Sequence, residues 1–327
     1  MELANEYKLS AWLGQQEDQH KIVLYQCDQS LTPWTQRCIP QADCIMIVAL
    51  ATMEPSFGTI EKQLETIAVR TQKELIILLK EGGDKPRNTV HWLNARSWCS
   101  FHHHIQCPPR IFSRKHASRL ADGATKPAQL VDRNIHSDFS RLARLLTGES
   151  VGLVLGGGGA RGAAHVSMIQ AIQEAGIPID MVGGVSIGAF TGALWCIEKD
   201  IHEFTRKFSS WSHKMTQLWR QLVDLTYPET SMFSGAGFNT MIRETFGEDS
   251  IIEDLWLLYF TITTDITSSC MRLHSYGSVW RFVRASMSLS GYMPPLCVPK
   301  DGNLLLDGGY VNNLPGSTCA RSTFAFI

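Results

Sequence analysis

Between Val151 and Cys196 the chain twice runs from a short apolar strand through a glycine-rich turn into a helix, and this repetition restricts the fold more than any other feature. Val151-Gly152-Leu153-Val154-Leu155 leads into Gly156-Gly157-Gly158-Gly159 and a helix from about Gly162 to Ala175, closed by Gly176 and Pro178. Met181-Val182-Gly183-Gly184 leads through a turn at Ser186 into a helix reaching Cys196. Two such units in succession predict a parallel sheet with both loops at the carboxyl ends of the strands. Open α/β sheets carry their ligand sites on that edge.

Upstream, Lys21–Tyr25, Cys44–Leu50 and Leu75–Leu79 read as buried strands. Thr59 to Gln72 has apolar residues at 60, 64, 67 and 68, a helical spacing, so a smaller α/β unit is expected here. His102-His103-His104 lacks metal-ligand spacing and reads as a polar surface segment. Arg110 to Pro127 is basic and aperiodic, as in a linker, and Phe139 to Leu146 is a short amphipathic helix stopped by Gly148. The domain boundary falls there, giving regions 1–147 and 148–327.

Composition narrows the function classes. The 327 residues are 44% hydrophobic, enough for a sizeable core, and a formal net charge of −1 provides no global attraction to nucleic acid. Nine cysteines include no C-x-x-C pair, and the polar amino terminus is not a secretory signal, so a reducing cytosolic setting is expected. No apolar run approaches the ~20 residues that span a bilayer.

Three segments carry chemistry. Gly184-Val185-Ser186-Ile187-Gly188 is G-x-S-x-G between a strand and a helix, the setting in which a serine hydroxyl stands exposed on a sharp turn. Gly156-Gly157-Gly158-Gly159-Ala160-Arg161-Gly162 can converge backbone N–H groups on an oxyanion. The same loop matches G-x-G-x-x-G, but Asp180 precedes the second strand, whereas a dinucleotide site needs its acid at that strand's end. No Lys-Ser or Lys-Thr follows the glycines, as a Walker loop requires. In Leu304-Leu305-Leu306-Asp307-Gly308-Gly309 an apolar strand delivers a carboxylate to a tight turn. No histidine follows Asp307; His202, His213 and His274 lie in segments without a catalytic motif, and Asp265 lacks a glycine turn. A Ser186–Asp307 dyad with the aspartate as general base is the economical arrangement.

Taken together, Gly156–Gly162, Gly184–Gly188 and Asp307-Gly308-Gly309 resemble the signature of patatin-like phospholipases over roughly residues 148–315. Ala11–Asp18, Leu31–Thr35, Asp138–Arg144, Asp224–Pro228 and Ser231–Phe233 are similar to the neuropathy target esterase branch of that family. The resemblance implies a three-layer α/β/α, parallel-sheet hydrolase domain preceded by a smaller Rossmann-like connecting or regulatory region. It implies Ser186 as nucleophile, Asp307 as base, the amides of 156–162 as oxyanion hole, and no metal or cofactor. The implied substrate is a lysophospholipid, with lysophosphatidylcholine cleaved to a fatty acid and glycerophosphocholine. The implied setting is peripheral contact with the cytosolic face of the endoplasmic reticulum and with lipid droplets, without nucleic acid.

Two departures stand out. The family's amino-terminal membrane segment and cyclic-nucleotide-binding-like domains are not expected within these 327 residues. After Val311-Asn312-Asn313-Leu314-Pro315 the stretch from Gly316 to Ile327 does not resemble the family's continuation, so a catalytic domain incomplete at its carboxyl end is expected. A binding or regulatory module with impaired catalysis is the competing class. The amphipathic stripe Phe204, Phe208, Trp211, Met215, Leu218 and Leu222, interspersed with Arg206, Lys207, Lys214 and Arg220, is expected to pack on the protein's own sheet rather than on a membrane.

Overall fold

The computed structural model describes residues 2–28, 30–67, 71–108, 134–217, 224–227 and 230–324. They form two compact units, residues 1–78 with 91–105 and residues 79–90 with 106–327.

Helices α1 (Glu2–Gln19) and α2 (Pro33–Gln41) precede β1 (Cys44–Leu50), α3 (Glu61–Ile67), β2 (Gln72–Lys80), α4 (Thr89–Ala95) and β3 (Phe101–Cys107). The strands form a sheet in the order β1-β2-β3, with β1 parallel to β2 and Cys44 opposite Gln72. Leu75, Ile76, Ile77 and Ile105 are buried in it, as expected of strands with continuous apolar runs.

Three expectations change here. Lys21–Tyr25 forms no strand, and Leu24 is exposed: β-propensity supplies no partner for the backbone groups. Of the helical spacing from Thr59 to Gln72, Glu61–Ile67 is a helix, residues 68–70 lie outside the described residues, and Gln72 is already paired in β2. The histidine run is not a polar surface segment: His103 and His104 are buried in β3, with His103 Nε2 3.2 Å from Glu74 Oε2. The basic stretch Arg110–Pro127 lies outside the described residues.

The larger unit begins with α5 (Asp138–Leu146), whose N-cap Ser137 accepts from the Ser140 N–H at 3.2 Å. Then come β4 (Gly152–Leu155), a 3₁₀ turn (Gly159–Gly162), α6 (Ala163–Glu174), β5 (Met181–Gly184), α7 (Ile187–Glu198), α8 (Ile201–Met215) and α9 (Ala236–Phe246). The chain continues through β6 (Leu258–Asp265), β7 (Cys270–His274), α10 (Val279–Ser286), β8 (Leu296–Cys297), β9 (Leu304–Asp307) and α11 (Gly316–Phe324). The sheet order is β4-β5-β6-β9-β8, with β7 also on β6. Strands β4, β5 and β6 are parallel, as the two strand–turn–helix units predict, while β7, β8 and β9 pair antiparallel. Only residues 266–269 join β6 to β7, too few for a parallel crossover.

Helix α7 is buried along its length and packs on one face of the sheet, where Phe190 and Leu194 join Leu155, Val182 and Tyr259. Phe204, Phe208 and Trp211 of α8 close over it, with the Phe190 ring stacked 4.1 Å from that of Trp211. That half of the amphipathic stripe therefore packs inward, while Leu218, Arg220 and Leu222 lie outside the described residues. The opposite face holds Met181, Phe260 and Ile262 against Cys319 of α11, making the third layer. The closing segment, which resembled no family continuation, is thus a helix whose Cys319 Sγ lies 4.0 Å from Met181 Sδ.

Candidate active site

Ser186 sits between the last residue of β5 and the first turn of α7, at φ 54° and ψ −125°. A non-glycine residue rarely adopts a positive φ, and here the strain raises the side chain off the sheet edge. The two flanking glycines make the turn possible. A Cβ on Gly184 would lie 2.4 Å from the Gly188 carbonyl oxygen, and one on Gly188 would lie 2.1 Å from that of Leu155. The Ser186 N–H is fixed by Ser286 Oγ at 2.9 Å, and Ser286 Oγ donates in turn to the Ile262 carbonyl at 2.7 Å.

Asp307 ends β9, antiparallel to β6 with Thr263 opposite, and is buried. Its Oδ1 accepts from the Gly309 N–H at 2.7 Å, which is what the Asp-Gly-Gly turn supplies. Its Oδ2 is buried and is not fully hydrogen-bonded by any group among the described residues. Burial pushes this carboxyl above the usual range, and hydrogen bonding from Ser186 and the Gly309 N–H offsets only part of that. The Ser186 side chain is within hydrogen-bonding reach of the Asp307 carboxyl, so the structure brings the two residues together.

The glycine loop passes over the serine. A Cβ on Gly157 would stand 3.1 Å from Ser186 Cβ and 2.5 Å from Asn313 Oδ1. Gly157 itself is held by Asn313, whose Oδ1 accepts its N–H at 3.2 Å and whose Nδ2 donates to its carbonyl at 3.5 Å. The N–H groups of Gly158 and Ile187 make no hydrogen bond among the described residues. Gly162 is buried against Ile187 at the foot of α7, which anchors the far end of the loop. Arg161 is exposed, so in this structure it adds positive charge at the rim rather than a fixed contact.

The other residues weighed from the sequence are engaged elsewhere. Both Asp180 oxygens hold Arg144, and Oδ2 also accepts the Val151 N–H, at the edge of the sheet opposite the glycine loop. Asp265 accepts from Thr267 and Ser268 N–H groups at 3.0 Å each and from Asn303 Nδ2 at 2.8 Å. His274 is buried, 2.7 Å from Thr263 Oγ1 and stacked on Phe282, and burial pushes it down to about 4. His202 and His213 are exposed on α8.

Three neighbours of the site carried no signal of their own in the sequence. Ser286 is an ordinary helix serine until the fold puts it under Ser186. Asn313 belongs to an Asn-Asn-Leu-Pro segment whose position over Gly157 depends on the 3₁₀ turn after Asp307. His165 Nε2 lies 3.0 Å from the Gly156 carbonyl oxygen, while its Nδ1 is buried without a hydrogen bond. It precedes the nucleophile in the chain, whereas a Ser–acid–His order places the histidine after the acid.

Comparison with known proteins agrees with this architecture. Residues 1–148 match the model of the Neuropathy Target Esterase family P-loop like domain, and residues 153–317 match that of Patatin-like phospholipase. Neuropathy target esterase sws of Drosophila grimshawi is 63% identical over 314 residues, covering 96% of this chain and 21% of that protein. The Drosophila melanogaster protein is 62% identical over 315 residues, covering 96% of this chain and 22% of its own. The chain thus spans about a fifth of the length of these curated relatives. A solved structure, VipD from Legionella pneumophila, aligns at a TM-score of 0.36 and 18% identity over 51% of this chain and 47% of that one. On the two domain matches and these identities, the chain belongs to the patatin-like phospholipase family, in its neuropathy target esterase branch.

Proposed function

We propose that this chain is a serine hydrolase that cleaves the acyl ester of lysophospholipids, converting lysophosphatidylcholine to a fatty acid and glycerophosphocholine. The observation that carries the reading is the pairing of a strained, raised Ser186 with a buried Asp307 whose Oδ2 remains open and whose carboxyl is more basic than usual. Asp307 removes the Ser186 proton as Oγ attacks the ester carbonyl carbon. The charge that develops on the carbonyl oxygen falls to N–H groups of the 156–162 loop, each donor supplying about 3 kcal/mol of transition-state stabilisation. Collapse of the tetrahedral intermediate breaks the ester C–O bond, and the glycerol alkoxide leaves with the proton from Asp307. Water then gives a proton to Asp307 and attacks the acyl-serine; the fatty acid leaves and Ser186 regains its proton.

A lipid substrate fits the surroundings. Leu289, Tyr292, Tyr310, Val311 and Leu314 are large, exposed apolar side chains on the segments that follow α10 and Asp307. Leu314 abuts the glycine loop, 3.5 Å from where a Gly156 Cβ would stand, and Tyr310 Oη accepts the Ser290 N–H at 2.9 Å, joining the two segments. Such a rim supports contact with a lipid surface, here the cytosolic face of the endoplasmic reticulum or a lipid droplet. Among the described residues no helix is long and apolar enough to cross a membrane.

The test is hydrolysis of lysophosphatidylcholine by the purified chain, with a fluorophosphonate label in parallel. Ser186→Ala is expected to lose activity by about 10⁴-fold or more and to lose labelling at that position. Unchanged hydrolysis in the variant would refute the proposal. A folded wild-type chain that neither labels nor hydrolyses would make it a binding module instead.

A further inference from the structure

A second group of buried polar side chains lies at the edge of the large sheet opposite Ser186. Asp180 immediately precedes β5, while Trp195 and Lys199 stand at the far end of α7. Trp195 is roughly 12 Å along the helix axis from its first residue, at ~1.5 Å per residue. Together with Asp138, Arg141 and Arg144 of α5 they line a cavity of about 120 Å³, all within one compact unit. At ~30 Å³ per water, that space holds about four waters or one small ion with its hydration, but not an acyl chain.

The two carboxylates that line this cavity are already in use, and Gln173 and His136 complete its polar lining. Asp180 takes Arg144 Nη2 at 2.6 Å and Nε at 2.9 Å, and the Val151 N–H at 3.0 Å. Asp138 Oδ1 takes Arg141 Nη1 at 2.9 Å and Lys199 Nζ at 2.8 Å, while its Oδ2 takes the Gln106 N–H at 2.9 Å. Against these two carboxylates stand three cations, so the lining carries an excess positive charge. Trp195 is 3% exposed, and its Nε1–H makes no hydrogen bond among the described residues. An indole N–H can only donate, and this one has no acceptor among the described residues. Burial pushes both Arg141 and Lys199 below their usual range, with Asp138 opposing the shift, so the acids do not fully offset the cost of burying these cations.

We propose that this cavity binds a small tetrahedral oxyanion of the phosphate class, with the Trp195 Nε1–H as a donor and Arg141 and Lys199 as its neutralising charge. It is a ligand site separate from the ester-cleaving centre and does not depend on the reading of Ser186. Because its walls come from α5, the start of β5 and the end of α7, an occupant would tie these three elements together and stabilise the fold. Free orthophosphate and a phosphate monoester present the same oxygens, so the titration must distinguish them.

The experiment is a titration of the full chain with sodium orthophosphate at fixed ionic strength, following tryptophan indole N–H resonances by NMR. A parallel titration uses glycerol 3-phosphate, and sodium chloride is the control. One indole resonance is expected to shift saturably with phosphate, to be missing in Trp195→Phe, and to be unmoved by chloride. Affinity, read from the rise in thermal midpoint, is expected to fall at least about tenfold in Trp195→Phe and in Lys199→Met. Saturation by both ligands assigns a monoester-tolerant site, and saturation by orthophosphate alone assigns the free ion. No saturable shift up to ~10 mM phosphate overturns the proposal on the wild-type chain alone, as does full affinity retained in Lys199→Met.

Discussion

Two aspartates end neighbouring antiparallel strands of the same sheet, and both are buried, yet their surroundings drive them in opposite directions. Asp265 closes β6 and Asp307 closes β9, two residues apart in the pairing register. Around Asp265, burial is the largest single influence and pushes the carboxyl up. It is outweighed by hydrogen bonds from Ser268, Asn303 and Thr267, and the net shift is down. Around Asp307 burial wins, because one oxygen receives the Gly309 N–H and the other is left toward Ser186. A carboxylate whose lone pairs are filled is a structural bolt. One with an oxygen in reserve can accept a proton. The difference comes from the turns: residues 266–269 fold back over Asp265 and present their amides to it, whereas Gly308 and Gly309 present a single amide and no side chain to Asp307.

The largest consequence of this contrast is in catalysis. Asp307→Asn keeps Oδ1 for the Gly309 N–H and changes little volume, but it removes the base. Its kcat for lysophosphatidylcholine is expected to drop by about 10³–10⁴-fold with KM nearly unchanged. Steady-state kinetics on the folded variant checks this, and more than a tenth of wild-type kcat would show that Asp307 is not the base.

Asp265→Ala should behave in the reverse manner. It strips acceptors from two backbone amides and from Asn303, and urea unfolding is expected to show a loss of about 2–4 kcal/mol. Per folded molecule, kcat should stay within about threefold of wild type. A loss of activity comparable to that of Asp307→Asn, in protein shown to be folded, would erase the distinction between the two acids.

How far the sequence anticipated this can be judged from the same residues. Strand patterns and glycine turns locate β4, β5, β9 and the elbow at Ser186, because each is a local consequence of short continuous apolar runs and residues lacking Cβ. The Asp-Gly-Gly turn distinguishes Asp307 from Asp265 in the sequence, and in the structure that turn presents one amide to Oδ1. Non-local partners were out of reach: Ser286, Asn313 and His165 meet the site only through sheet pairing and helix packing. Lys21–Tyr25 has strand composition without a partner, and the burial of His103 brings it against Glu74 of the adjacent strand.

Asn313 sharpens the comparison at a smaller scale, since it orders the glycine loop rather than touching either acid. Its side-chain amide pairs with both the N–H and the carbonyl of Gly157, which holds the loop over Ser186. Asn313→Ala frees that peptide, and kcat is expected to fall about tenfold, the size of a modest misplacement of an oxyanion donor. Asn313→Asp restores only the acceptor for the N–H, so an intermediate kcat is expected. A change in KM alone would assign Asn313 to substrate binding instead of loop positioning.

The finest test is the pH dependence of stability, where the two aspartates must run in opposite senses. Asp307 has a folded pKa above its unfolded one, so between the two values the native state holds a proton that the unfolded state has released. Stability therefore falls as pH rises through that window, at about 1.4 kcal/mol for each pKa unit of separation. Asp307→Asn cannot titrate, so its stability relative to wild type should improve as pH climbs from below the ordinary aspartate range and level off above the raised value. Asp265 has a folded pKa below its unfolded one, and its contribution is present above the unfolded value and lost as pH falls through the folded one. The deficit of Asp265→Ala should accordingly shrink on acidification. Urea midpoints for wild type and both variants across the acid range measure the two slopes. Slopes of the same sign would mean that the reserve oxygen of Asp307 is filled in solution, and that the contrast between the two strand ends does not hold.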